Sequence, residues 1–330
     1  MCDSIQSQYF PPIRIAVMGC AAIAGRSLIP ALKGLPNHFQ LVAVASRGAD
    51  KANSFARQFD CDPVLGYEGL LQRDDVDAIY MPLPTGLHEE WVLKALEADK
   101  HVFAEKSLAC SFSSAEKMIR KARERNLLIQ ENFMFCHHSQ HQFVHDLVND
   151  GQIGELRLMR SSFGFPPLPK GNFRYDKNLG GGALLDAGAY TLKATQLFFG
   201  SDVRVVASCL KMDKDLGVDI NGAAMLIENN GVVSQVAFGF DNFYQCNYEL
   251  WGTSGKITVE RAFTLPSGFA PHVLLEKQGK REEFTLPPDD HFRNILIEFA
   301  RSVAVRSFEQ HWNACLNQAR LIQEVIDQCV

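Results

Sequence analysis

A chain of 330 residues is long for one compact core and short for three, which predicts two domains. With 46% hydrophobic and 22% charged residues it has the balance of a folded protein, and a net charge of −5 without a run of five basic residues argues against nucleic-acid or membrane partners. Nine scattered cysteines with no C-x-x-C pair argue against a disulfide framework or a structural zinc site, and predict free thiols in a reducing compartment.

The segment from Met1 to Pro12 is polar and lacks the apolar core of a signal peptide. No later stretch approaches ~18 consecutive apolar residues, so the expected location is the cytoplasm. From Ile13 to about Phe133, short Val/Ile/Ala-rich runs alternate with amphipathic segments, the rhythm of a parallel sheet with crossover helices. Strands are predicted at Ile13 to Met18, Leu41 to Ser46, Val76 to Met81, His101 to Ala104 and Leu127 to Gln130. Helices are predicted at Ile23 to Leu35, Lys51 to Phe59, His88 to Ala98 and Ser114 to Arg125. Beyond Cys136 a helix over Gln140 to Asn149 precedes strands at Glu155 to Gly164, Val203 to Lys211, Gly222 to Glu228, Val232 to Phe240, Tyr244 to Trp251 and Lys256 to Glu260. Turns such as Asn229-Asn230-Gly231 and Thr253-Ser254-Gly255 suit antiparallel neighbours. Helices over Asp290 to Ala304 and Phe308 to Gln328 close the chain. The expected fold is therefore α/β plus α+β: a dinucleotide-binding domain over residues 1–133, then a substrate-binding and oligomerisation domain over residues 134–330 built on an open, mainly antiparallel sheet.

The first strand runs into Gly19-Cys20-Ala21-Ala22-Ile23-Ala24, where a tight turn and a helix start could meet a pyrophosphate. Only the first glycine of G-x-G-x-x-G is present, with Ala21 and Ala24 in the other two places. The second strand ends at Ser46-Arg47, with Lys51 a turn further on. A hydroxyl beside two cations, where an NAD enzyme usually carries an acid, suits a 2′-phosphate and predicts NADP(H) as cofactor. The alternative is that Arg47 and Lys51 are solvated residues at a helix start.

Lys106 stands just beyond a buried strand, at the carboxyl edge where ligands bind in such sheets. Later, Gly180-Gly181-Gly182 leads into a helix that carries Asp186 and Tyr190 four residues apart, on one face. These motifs, in this order, resemble the glucose-fructose oxidoreductase, inositol dehydrogenase and rhizopine-catabolism (Gfo/Idh/MocA) family over nearly the whole chain. Its signature is Glu-Lys-Pro after a Rossmann strand and a Gly-rich run followed by Asp-x-Gly-x-His. Ser107 departs from the usual Pro, which puts in doubt the turn that aims Lys106, and Tyr190 departs from the usual His. The Tyr, with Glu131-Asn132-Phe133-Met134-Phe135 and His137-His138-Ser139-Gln140-His141, is similar to the NADPH-dependent 3-ketoreductases of nucleotide-linked 4-keto-6-deoxy sugars, and more distantly to dihydrodiol and pentose dehydrogenases.

The resemblance implies reduction of a sugar ketone, with Tyr190 and Lys106 as the acid-base pair and Asp186 orienting Lys106 or a sugar hydroxyl. Which of Lys106 and Tyr190 delivers the proton stays open. Together with Glu105, it sets Pro82, Leu83, Gly86 and His88 along the cofactor's ribose and nicotinamide, and Glu131 and Asn132 near its amide. His137 and His138 become candidate walls of the sugar or diphosphate pocket, or ordinary interdomain histidines. His137, His141 and His145 recur every four residues, but no carboxylate or Cys shares their ligand spacing, and no metal is expected. Arg174 and Tyr175 are candidate substrate-binding residues, with an ion pair from Arg174 to a neighbouring Asp as the alternative. Lys193, three positions past Tyr190, could face the same cleft. The expected partners are a small-molecule sugar or nucleotide-sugar substrate and further copies of the chain, as a homodimer or homotetramer. Two rivals are an NADP-dependent dehydrogenase of free sugars or trans-dihydrodiols, and a non-catalytic sensor of NAD(P) or sugar.

Overall fold

A computed structural model describes residues 11–330. Cys2 and most of the polar N-terminal segment lie outside the described residues; the eight cysteines within them are free. Six parallel strands form the first sheet: β1 (Ile13–Met18), β2 (Phe39–Ser46), β3 (Asp62–Leu65), β4 (Ala78–Met81), β5 (His101–Ala104) and β6 (Ile129–Glu131), in the order β3-β2-β1-β4-β5-β6. β4 and the last three residues of β5 are wholly buried, the pattern of strands covered on both faces. The strand order reverses between β1 and β4, and the loops leaving their carboxyl ends open a crevice there. The sequence pattern predicts five of these strands. It passes over β3, a short edge strand of Asp-Pro-Val-Leu with little burial, where proline needs no ladder partner.

The second sheet has eight strands: β7 (Leu156–Gly164), β8 (Val203–Met212), β9 (Asp219–Glu228), β10 (Val233–Gly239), β11 (Gln245–Gly252), β12 (Gly255–Val259), β13 (His272–Lys277) and β14 (Lys280–Thr285). The β9–β10 and β11–β12 pairs are antiparallel across the expected turns. β7 and β10 pair in parallel, Leu158 opposite Val233 and Gly164 opposite Gly239, because the long excursion between them lets the chain return in the same direction. β13 and β14 are additional to the expected strands. One face of the sheet packs on the helix Ala189–Phe199, through Phe163 against Tyr190 and a Thr195–Ser234 hydroxyl contact of 2.8 Å. The two closing helices, His291–Val305 and Glu309–Asp327, return to the first sheet: Phe299 packs on Phe39 and Phe103, and Trp312 Nε1 donates to Leu127 O. Burying a phenylalanine as fully as Phe299 contributes about 2–3 kcal/mol, so these helices are part of what stabilises the first sheet. Among the described residues, no helix is long and apolar enough to cross a membrane.

Candidate active site

The carboxyl ends of β1, β4, β5 and β6 bring together most of the residues expected at the cofactor. Gly19 takes φ +117°, and a Cβ there would lie 2.9 Å from Leu83 Cδ2, so the turn after β1 and the exit of β4 meet because residue 19 has no side chain. A helix over 22–33 follows, widened at Ala24–Leu28, and aims its first N–H groups at the crevice. Cys20 turns its thiol into the sheet edge, 3.7 Å from Ala45 O. Ser46 is buried and its Oγ accepts from Gly48 N, while Arg47 and Lys51 are exposed at the end of β2.

On the other side of the crevice the Asn132 amide donates 2.8 Å to Glu105 Oε1, and Tyr80 Oη donates 2.6 Å to the same oxygen. Burial pushes the Glu105 carboxyl up, against these two donors and the neighbouring Lys106. Asn132 Oδ1 is buried with no partner. A buried amide oxygen left unpaired costs about 1–3 kcal/mol unless something donates to it, and a carboxamide from a nicotinamide supplies that donor. With the glycine cradle, this makes the residues fit a dinucleotide.

Lys106 lies just beyond β5, and its peptide to Ser107 is cis. Its ammonium donates 2.6 Å to Asp186 Oδ1 and 3.0 Å to Asp186 O, and sits 5.0 Å from the centre of the Tyr190 ring. Arg174 Nε donates 2.6 Å to the other oxygen, Oδ2. Burial alone would raise the Asp186 carboxyl, but Lys106 and Arg174 hold it down to about 2. The chain bends for this purpose in a wide turn at Leu184–Gly188, where the backbone closes a five-residue hydrogen bond before the helix Ala189–Phe199 begins. Tyr190 stands among Phe133, Phe135, Phe163 and Phe263. Its hydroxyl has only Met134 Sδ at 4.0 Å as a partner among the described residues. Burial, followed by the charges of Glu105 and Asp186, pushes the phenol well above its ordinary range. Tyr190 therefore stays a protonated phenol.

The segment carrying Lys106 is held from several sides. Ser107 Oγ donates 2.9 Å to Leu185 O, so the residue in the usual proline's place ties the lysine segment to the wide turn. Leu108 N donates 2.7 Å to Glu131 Oε1. Burial raises the Glu131 carboxyl to about 7. Tyr80 is a member of this site that sequence reasoning missed; its hydroxyl is the only side-chain polar group in β4, Ala-Ile-Tyr-Met, and that was the available signal.

Several expected site residues take other places. His88 is fully buried, with Nε2 2.9 Å from Leu83 O and Nδ1 3.1 Å from Ser107 O and Leu108 O, so its ring nitrogens brace the loops. Gly86 packs against the Asn178–Leu179 backbone, where a Cβ would sit 2.4 Å from Asn178 O. His137 lines a separate cavity of about 160 Å³ with Gln130, Glu131, Lys193, His311 and Cys315; its lining includes none of Lys106, Asp186 and Tyr190. Lys193 lies over the Phe133 ring, 5.4 Å from its centre, between this cavity and Tyr190's aromatic neighbours. His138 precedes the helix Ser139–Asn149, accepts from Gln140 N at its first turn, and packs on His141 and His291. The three histidines at fourfold spacing diverge, since that helix starts after His137, His141 bonds Tyr248 and Ala262, and His145 stacks on Phe198. Tyr175 Oη accepts from Leu168 N and shapes the loop before the glycine run.

A Rossmann crevice with a lysine, a carboxylate and a tyrosine at its mouth defines a dinucleotide-dependent oxidoreductase. Residues 13–133 match the model of an oxidoreductase family with an NAD-binding Rossmann fold (GFO/IDH/MocA), and residues 141–258 match the GFO/IDH/MocA C-terminal domain. The chain belongs to the GFO/IDH/MocA family. It is 44% identical over 315 residues, 95% of each chain, to a dTDP-3,4-didehydro-2,6-dideoxy-alpha-D-glucose 3-reductase of Actinomadura kijaniata. It is 31% identical, over 87% of this chain and 88% of the relative, to the D-xylose 1-dehydrogenase (NADP(+)) 2 of Haloferax volcanii. The crystal structure of KijD10, a 3-ketoreductase from Actinomadura kijaniata in complex with NADP and TDP-benzene, matches with a TM-score of 0.94 at 43% identity, covering 96% of this chain and 98% of that one.

Proposed function

We propose that this chain is an NADPH-dependent reductase of the 3-keto group of a nucleotide-linked 4-keto-6-deoxy sugar. The observation that carries the reading is the arrangement of Lys106, Asp186 and Tyr190 at the mouth of a crevice that fits a dinucleotide. The names of relatives 44% identical along almost the whole chain support the sugar class. Gly19 to Ile23, Pro82, Leu83, Glu105 and Asn132 would hold the cofactor, with Ser46, Arg47 and Lys51 toward a 2′-phosphate. When bound, it supplies the hydride that adds to the ketone carbon.

The chain's own residues handle the oxygen. Asp186 fixes the Lys106 ammonium, which keeps a third N–H for the ketone oxygen and stabilises negative charge there. Tyr190, kept protonated by its apolar surroundings, is placed to donate the proton. The phenylalanines around it exclude water from that transfer. The location proposed is the cytoplasm. The assembly proposed is a homodimer or homotetramer formed through the outer face of the eight-stranded sheet. Neither nucleic acid nor a membrane belongs to this reading.

The test is the melting temperature of the protein saturated with NADP, with and without thymidine diphosphate, beside NADPH oxidation with ketosugars. A ligand at ~100 times its dissociation constant adds about 2.7 kcal/mol of stability. An upward shift from the diphosphate is expected. A shift from NADP alone would move the reading to free sugars, the class of the Haloferax volcanii relative.

A further inference from the structure

The proposed reaction gives Arg174 no role beyond its bond to Asp186. Its Nε is bonded to Asp186 Oδ2, but the four hydrogens on its two terminal nitrogens meet no hydrogen-bond partner among the described residues. The guanidinium rests against the Phe173 ring, 4.7 Å from its centre, and the side chain keeps 29% of its surface exposed. Lys106 bonds the opposite oxygen of the same carboxylate and has one hydrogen to spare. Ammonium and guanidinium therefore flank one carboxylate, one on each of its oxygens.

We propose that Arg174 donates to the oxygen on the sugar carbon adjacent to the one reduced, and so selects a substrate with two neighbouring carbonyls. This rests on the reductase reading above. The donors Lys106, Tyr190 and Arg174 have hydrogens to give, whereas each oxygen of Asp186 already takes a cationic donor. Vicinal carbonyls present acceptors alone and match that set; a hydroxyl in place of the second carbonyl brings a hydrogen whose nearest acceptor is a carboxylate already weakened as a base by Lys106 and Arg174. The guanidinium also draws electron density from the second carbonyl, which makes its neighbour more electrophilic. In the step itself a C–H bond forms at C3 with the hydride of NADPH, which becomes NADP. The C3–O π bond breaks, its electron pair takes a proton from Tyr190 or Lys106, and the C4 carbonyl is unchanged.

The experiment compares kcat/KM for a thymidine-diphosphate-linked 3,4-diketo sugar and its 3-keto-4-hydroxy counterpart, in wild type, Arg174→Gln and Arg174→Lys. NADPH affinity, read by fluorescence, reports that each variant is folded. The wild type is expected to prefer the diketone. Arg174→Gln should lose about tenfold to a hundredfold on the diketone, the worth of a charge-assisted hydrogen bond, and much less on the monoketone, so that the preference collapses. Arg174→Lys restores a charge beside Asp186 without the two-nitrogen edge, and should recover the monoketone rate but not the preference. Equal losses on both sugars, rescued together by lysine, would overturn the inference and leave Arg174 acting only through Asp186. A wild type that reduces neither sugar would overturn the functional reading and this inference with it.

Discussion

At the scale of single residues, the site turns on how a buried carboxylate divides its two oxygens. Asp186 gives one to Lys106 and one to Arg174, which keeps it ionised down to about 2 despite its burial. A carboxylate so engaged is a poor base, so in the proposed reaction the proton comes from Lys106 or Tyr190. Between these, Tyr190 has the freer hydrogen, since Lys106 already spends two of three on Asp186. Tyr190→Phe removes the hydroxyl and keeps the ring among Phe133, Phe135, Phe163 and Phe263. Turnover should fall by roughly a hundredfold to ten-thousandfold, the usual contribution of a positioned acid, with the melting temperature and NADPH affinity near wild type. Single-turnover rates check this, and an unchanged rate would take Tyr190 out of the proton transfer.

At the scale of elements, the parallel sheet was legible because buried strands read as apolar runs, and Lys106 was legible because it follows one of them. Asp186 and Tyr190 were legible as neighbours four residues apart, though the wide turn at Leu184–Gly188 that brings Asp186 onto Lys106 was not. His88, His137 and His138 mark the limit of such reading, because spacing cannot say whether an imidazole faces a ligand or braces a loop. The outer sheet face shows the same limit. Alternation in Val232 to Phe240 and Tyr244 to Trp251 predicts exposed aromatics, yet Phe238, Phe240 and Tyr248 point inward. Trp251 and Met225 remain at 50% and 41% exposure, and Arg160 lies over the Trp251 ring while bonding Gln235 and Glu249. Such an aromatic and arginine pairing suits a contact with a second copy. Sedimentation should show an oligomer for the wild type, and Trp251→Glu should shift it toward monomer; a monomeric wild type would remove the face from the proposal.

At the scale of the whole molecule, the histidines set how stability responds to pH. Burial lowers His88, His101, His137, His138, His141, His145, His291 and His311, with His101, His137 and His291 reaching about 4 and His141 about 3. Each is neutral in the folded chain and takes up a proton near pH 6.5 once unfolded. Their contribution is complete above about 6.5 and is lost as pH falls through the folded values, because the unfolded state then binds more protons. Glu131, raised by burial to about 7, works in the opposite sense, as do the raised carboxyls of Glu105 and Asp219, since folding favours their protonated forms. The histidines outnumber these carboxyls, and several of them hold their neighbours directly: His141 bonds Tyr248 and Ala262, and His88 joins the loop after β4 to the lysine segment. The melting temperature should therefore decline from pH 7 to pH 4.5, with the steepest loss below 6. Circular dichroism melts across that range check it, and a flat or rising profile would mean that the carboxyls prevail. Because His88 braces both the exit of β4 and the segment after Lys106, acid should loosen the active site as part of the same transition that unfolds the chain.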